Sequence, residues 1–193
     1  CARMVEAFMI AAAVAVGVGA GIFFGQKVGF APETIGFITN ITRSGFVGYA
    51  VGFAAAAFSI VGFSFILEVP KKFIIASAFT AAIGWTANLF GFYNGMGDVW
   101  GAFLGALLAE LLAYIFARAL KAPETIFLIC GIIPLVPGAG IYRAVYYLIS
   151  GDPLASSTFN LTLMVAGAIA LGLITMYTIL DMLRKGVMKI KRK

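Results

Sequence analysis

Apolar residues in this chain run on without the two-residue alternation of a half-buried strand, and they run for longer than a buried core helix requires. Six such runs, at residues 5–25, 46–67, 73–93, 99–119, 125–150 and 159–180, are separated by short clusters of turn-forming and charged residues. A helix needs roughly 20 apolar residues to cross the hydrocarbon of a bilayer, and each run has about that length. Barrel strands would alternate in polarity over about ten residues, which these runs do not. The pattern predicts an all-α, polytopic membrane protein of about six transmembrane helices, with one of them broken at a Pro/Gly motif.

The connections are legible from turn chemistry combined with charge. They fall at Val69 to Lys72, Asn94 to Asp98, Lys121 to Glu124 and Ser150 to Pro153, where Asp152 reads as a turn cap. The longest, at residues 26–45, contains Pro32 followed by Glu33, a suitable helix start, and an interfacial helix is expected there. Residues 8–17 align without gaps to residues 163–172, with half the positions identical and the rest conservative. Chance likeness between Ala/Gly-rich spans is one reading. The other is a structural repeat, with residues 1–30 as the last helix of a preceding repeat plus a linker, and residues 31–193 as a five-helix transmembrane domain with a basic cytoplasmic tail. The absent initiator Met makes a processed piece or a fragment of a longer polypeptide the expected origin.

Composition strengthens the membrane assignment. Of 193 residues, 62% are apolar and 11% charged, and the mean hydropathy is +1.04. That is too little polar surface to coat a water-soluble globule. The net charge of +6 invites a nucleic-acid reading until the basic residues are placed. With the N-terminus cytoplasmic, Arg3, Lys71, Lys72, Arg118, Lys121 and the tail from Arg184 to Lys193 share one side, and Lys27 and Arg43 fall on the other. This is the positive-inside pattern, with both termini cytoplasmic. The tail suits anionic membrane lipid, and no nucleic acid is expected as a partner. Cys1 and Cys130 are the only cysteines and histidine is absent, so no disulfide framework, metal site or cofactor is expected.

Chemistry concentrates in the fifth span. Pro134 and Pro137 remove two backbone donors, and Gly138 and Gly140 permit non-helical dihedrals, so a continuous helix is not expected there. Freed backbone groups at membrane depth are tolerated where protein or a water-lined cavity satisfies them, and transporters commonly bind solute at such breaks. A packing kink is the competing reading. Arg143 follows the break by less than a turn and needs an anionic partner. Beside the start of the second half-helix, its guanidinium would hold a carboxylate. The alternative is snorkelling, with Tyr142, Tyr146 and Tyr147 as an aromatic belt. Glu110 is the other ion within a span, read either as a proton-exchanging residue or as a static partner of Arg143 or Arg118. Asn88, with Trp85, Thr80, Thr86, Ser59 and Ser64, is a weaker candidate, since such groups often serve helix packing. No nucleophile elbow, phosphate loop or paired catalytic carboxylates are present, so an enzyme is not expected.

At these residues the chain resembles the threonine/serine exporter family. The likeness runs through Val69 to Lys72, Ala109 to Ala113 and, above all, Lys121 to Arg143 with Ser150 to Asp152. It covers most of residues 46–180 and corresponds to the family's C-terminal half, which also occurs as a small separate subunit of bacterial dicarboxylate exporters. Residues 2–7 and the apolar run after them resemble the last helix of the N-terminal half. The resemblance implies a secondary exporter in the cell inner membrane for small carboxylate-bearing solutes. These would be threonine and serine or, alternatively, succinate-like acids, and export would be coupled to protons by antiport. Because one fixed cation, one titratable anion and one broken helix fall at comparable depth, the substrate site is expected at Pro134, Pro137, Gly138, Gly140, Arg143 and Asn88, and proton coupling at Glu110. The expected partners are the solute, lipid, the missing N-terminal half or a partner subunit, and further copies of the chain. A non-transporting membrane scaffold is the alternative from another class.

Overall fold

The computed structural model describes residues 45–190, with side chains as far as Lys185. The chain divides into two units, Cys1–Gly48 and Tyr49–Lys193. The expected first span, the expected interfacial helix and residues 8–17 of the repeat lie outside the described residues, so the fold concerns the second unit.

Every regular element among the described residues is helical. Helix α1 is Gly45–Ile66. A 3-10 turn, Lys71–Phe73, leads into α2, Ile74–Tyr93. Helix α3 is Gly97–Leu120 and α4 is Glu124–Ile132, which tightens into a 3-10 turn at Ile133–Leu135. Helix α5 is Gly138–Ile149, and α6 is Leu154–Ile190. Four of these helical segments are long and apolar enough to cross a membrane, and the bent pair Glu124–Leu135 and Gly138–Ile149 makes a fifth. The expected spans from residue 46 onward are thus present. The last extends beyond the apolar run at both ends, because helix formation does not require apolar residues. Asp152 Oδ1 accepts the Leu154 N–H at 2.9 Å at its start, and the Asp181–Lys185 ion pair, one turn apart, continues it past Leu180.

Four chain reversals use one device. Glu68, Gly95, Lys121 and Gly151 each take a positive φ, of 52°, 76°, 50° and 67°. The following residue's N–H then reaches back five residues, from Val69 to Ser64 O, Met96 to Gly91 O, Ala122 to Ala117 O and Asp152 to Tyr147 O. This is the Schellman closure, which satisfies carbonyls that the helix end leaves open. Glycine adopts that geometry freely. Glu68 and Lys121 do so at a cost of about 1 kcal/mol each, the penalty of a left-handed L-residue.

Helix α3 is central. Its buried stripe is Gly101, Ala102, Gly105, Ala106, Ala109, Glu110 and Ala113, small residues that admit neighbouring backbones on several sides. A methyl group at Gly105 would lie 2.7 Å from Gly84 O of α2 and 2.7 Å from Leu135 Cδ2. Against α4, Ala109 meets Gly131, and Ala113 packs with Phe127 and Phe73. Against α6, Gly172 lies so close that its Cβ would be 2.7 Å from Phe103 O. Helix α1 is held to α2 through Gly52, which makes room for Trp85 and Leu89.

Candidate functional site: a cavity at the broken span

The break is made by the prolines. Pro134 lies in the 3-10 turn, Val136 is extended at φ −58°, ψ 125°, and Pro137 caps α5 at φ −77°, ψ 52°. The two half-helices bend by 44°. Gly138 and Gly140 do not supply the non-helical dihedrals expected of them. Both are helical residues of the first turn of α5, and neither has positive φ. Proline alone suffices, because it removes the N–H and clashes with the preceding turn. Gly140 has a different role: a Cβ there would lie 2.7 Å from Thr162 Oγ1, so its small size lets α5 close onto α6.

At this break lies a cavity of about 400 Å³, within the range of small-ligand sites. Pro134, Pro137, Gly140, Arg143 and Asn88 of the expected substrate site all line it. Gly138 does not, and a Cβ at that position would meet nothing within 4 Å. Gly138 N–H turns back onto Val136 O at 2.8 Å, and the first helical bond of α5 is made by Ile141 N–H, which donates to Pro137 O at 3.0 Å. The helix has no side-chain cap, and Ala139 and Gly140 line the cavity. Their first-turn amides therefore add positive potential beside Arg143.

Glu110 lies elsewhere. It is 3% exposed, within the small-residue stripe of α3, and its carboxyl faces that of Glu124 at the start of α4. Glu110 Oε2 and Glu124 Oε1 are both buried without a hydrogen-bond partner. Neither expected cation meets Glu110: Arg118 lies 4.7 Å from the Tyr114 ring centroid, and Arg143 lines the cavity. Among the described residues the ion pair is Asp181–Lys185. The hydroxyls of Ser64, Thr80 and Thr86 donate to Ile60 O, Ala76 O and Ala82 O of their own helices, as packing residues do.

The family model described as Threonine/Serine exporter, ThrE, matches residues 52–179 of the chain. The chain belongs to the threonine/serine exporter family. No solved structure matches it. The matched stretch contains every residue lining the cavity, together with Glu110 and Glu124. The exporter family is one of transporters, not of enzymes.

Three polar members of the cavity carry no clear signal in the sequence. Asp98 opens α3, and Thr158 and Thr162 stand one turn apart on α6. Asp98 reads as loop punctuation because it follows Asn94 to Gly97, and the threonines belong to no motif. The one available signal is position: Asp98 and Arg143 both fall toward the same end of their spans, opposite Lys71, Lys72 and Lys121.

Proposed function

We propose that the chain forms the substrate-binding part of a secondary exporter that moves threonine or serine out of the cell. The observation that carries this reading is the cavity at the mid-span break, with Arg143 and the open first turn of α5 on its wall. A guanidinium and oriented amides favour a carboxylate. Pro134, Pro137 and Gly140 hold the backbone open, and Asn88 contributes an amide from α2. Glu110 is the proton-exchanging group, set apart from the solute. Alternating access then requires the two sites to communicate through the segment from Glu124 to the break. The scaffold reading is disfavoured because Glu110 and Arg143 are not paired in a dry interface.

The working unit includes the N-terminal half or a partner subunit. It lies in the inner membrane with the Lys71, Lys72 and Lys121 end of the bundle cytoplasmic, following the distribution of basic residues. The test is threonine counterflow in liposomes that hold the complete exporter. Arg143→Ala abolishes flux if Arg143 clamps the carboxylate. Full threonine flux in that variant rules the clamp out, and succinate outcompeting threonine on the wild type moves the substrate to the dicarboxylate class.

A further inference from the structure

The cavity wall carries two opposite charges that do not neutralise each other. Arg143 enters from the first turns of α5, and Asp98 from the first turn of α3. No ion pair joins them among the described residues. Asp98 owes its place to the reversal before it, where Gly95 and Gly97 take φ of 76° and 83° and redirect the chain into α3. An acidic residue in a first helical turn is favourable to the helix dipole anywhere. That accounts for an acid at the start of α3 but not for its position on the wall of a cavity that also holds an arginine. Among the described residues lining the cavity, Arg143 is the one cation and Asp98 the one anion.

We propose that Asp98 recognises the ammonium group of the substrate, so that the cavity selects a zwitterion over a dicarboxylate. This rests on the exporter reading and extends it to a residue that determines specificity. A solute with a carboxylate on Arg143 and an ammonium near Asp98 satisfies both charges when it displaces water. A dicarboxylate satisfies only Arg143. Its second carboxylate meets Asp98 with no further lining cation to offset the repulsion, a penalty that discriminates more strongly than a missing attraction. The hydroxyl of Thr162, which donates to Thr158 O at 2.7 Å, keeps its oxygen free to accept from a hydroxylated side chain.

The test uses the complete exporter in nanodiscs and equilibrium binding of threonine, succinate and 3-hydroxybutanoate, which is threonine without its ammonium. Wild-type protein binds threonine in preference to both others. In Asp98→Asn, threonine affinity falls about 10- to 100-fold, the size of a lost charge-assisted hydrogen bond, while 3-hydroxybutanoate binding holds. Asp98→Glu recovers part of the preference. A threonine to 3-hydroxybutanoate ratio that is unchanged in Asp98→Asn overturns the assignment and leaves the exporter reading standing. Equal loss of both solutes in that variant overturns it in favour of a structural role. Wild-type protein that binds neither solute overturns the assignment and the exporter reading together.

Discussion

Glu110, buried in the middle of α3, turns its carboxyl toward Glu124 at the start of α4 and toward no arginine or lysine among the described residues. Two ionised carboxylates facing each other away from a cation repel, and neutralising either one relieves that repulsion. Glu124 also begins the half-helix that ends at the Pro134 to Pro137 break, so a change at this pair is mechanically close to the cavity. Glu124→Gln is therefore expected to match Glu110→Gln: each keeps threonine counterflow at symmetric pH and loses most of the stimulation by an imposed pH gradient. Gradient stimulation that survives in Glu124→Gln while vanishing in Glu110→Gln would assign the proton to Glu110 alone. Survival in both would remove the pair from coupling.

The approach of α5 to α6 depends on one missing methyl group. At Gly140 it would lie 2.7 Å from Thr162 Oγ1 and 3.3 Å from Thr162 Cγ2. Gly140→Ala should destabilise the protein by about 1–3 kcal/mol, the usual cost of overpacking, and lower its apparent Tm in detergent by several degrees. Adding Thr162→Ala removes both clashing atoms and should restore most of that loss. A wild-type Tm for Gly140→Ala would show that the helices separate at no cost.

Asn88 is held against α3 by glycine. A Cβ on Gly101 would meet Asn88 O and Asn88 Oδ1, each at 2.6 Å. Gly101→Ala should push Asn88 off the cavity wall and weaken threonine binding by about tenfold, or about 1.4 kcal/mol, although residue 101 does not line the cavity. Gly62→Ala is the control, because a Cβ there meets nothing within 4 Å. It should change stability by about 0.5 kcal/mol or less. Equal effects of the two substitutions would refute the packing argument.

The break itself can be tested without transport. Restoring backbone donors in Pro134→Ala/Pro137→Ala removes a bias of about 3 kcal/mol per proline against helix. The first-turn amides of α5 should then join a continuous ladder, and hydrogen exchange at Ala139 and Gly140 should slow by at least about tenfold, with threonine binding lost. Unchanged exchange would mean that the surrounding helices, rather than the prolines, impose the 44° bend.

Much of the site's scaffold is legible in the sequence. Pro134 and Pro137 announce a break because proline cannot complete the helical ladder in any environment. Turn chemistry marks all four reversals, and glycine makes the positive φ at Gly95 and Gly151 unsurprising, but nothing announces it at Glu68 and Lys121, since neither residue favours that backbone. Glycines are harder to interpret. Gly138 and Gly140 suggest unusual dihedrals, whereas Gly140 is needed for the close approach of Thr162, a neighbour distant in sequence.

Local properties of the chain thus determined the helical membrane class, the described spans, the broken segment and the Arg143 that follows it. The tertiary structure alone decided that Asp98 shares a cavity with Arg143 and that Glu110 faces Glu124. The reason is that a membrane helix is apolar on every side, so its sequence carries little amphipathic signal of which face turns inward. Charges distant in sequence become partners only when small residues such as Gly84, Gly101 and Gly105 fix which helices touch, and at what depth.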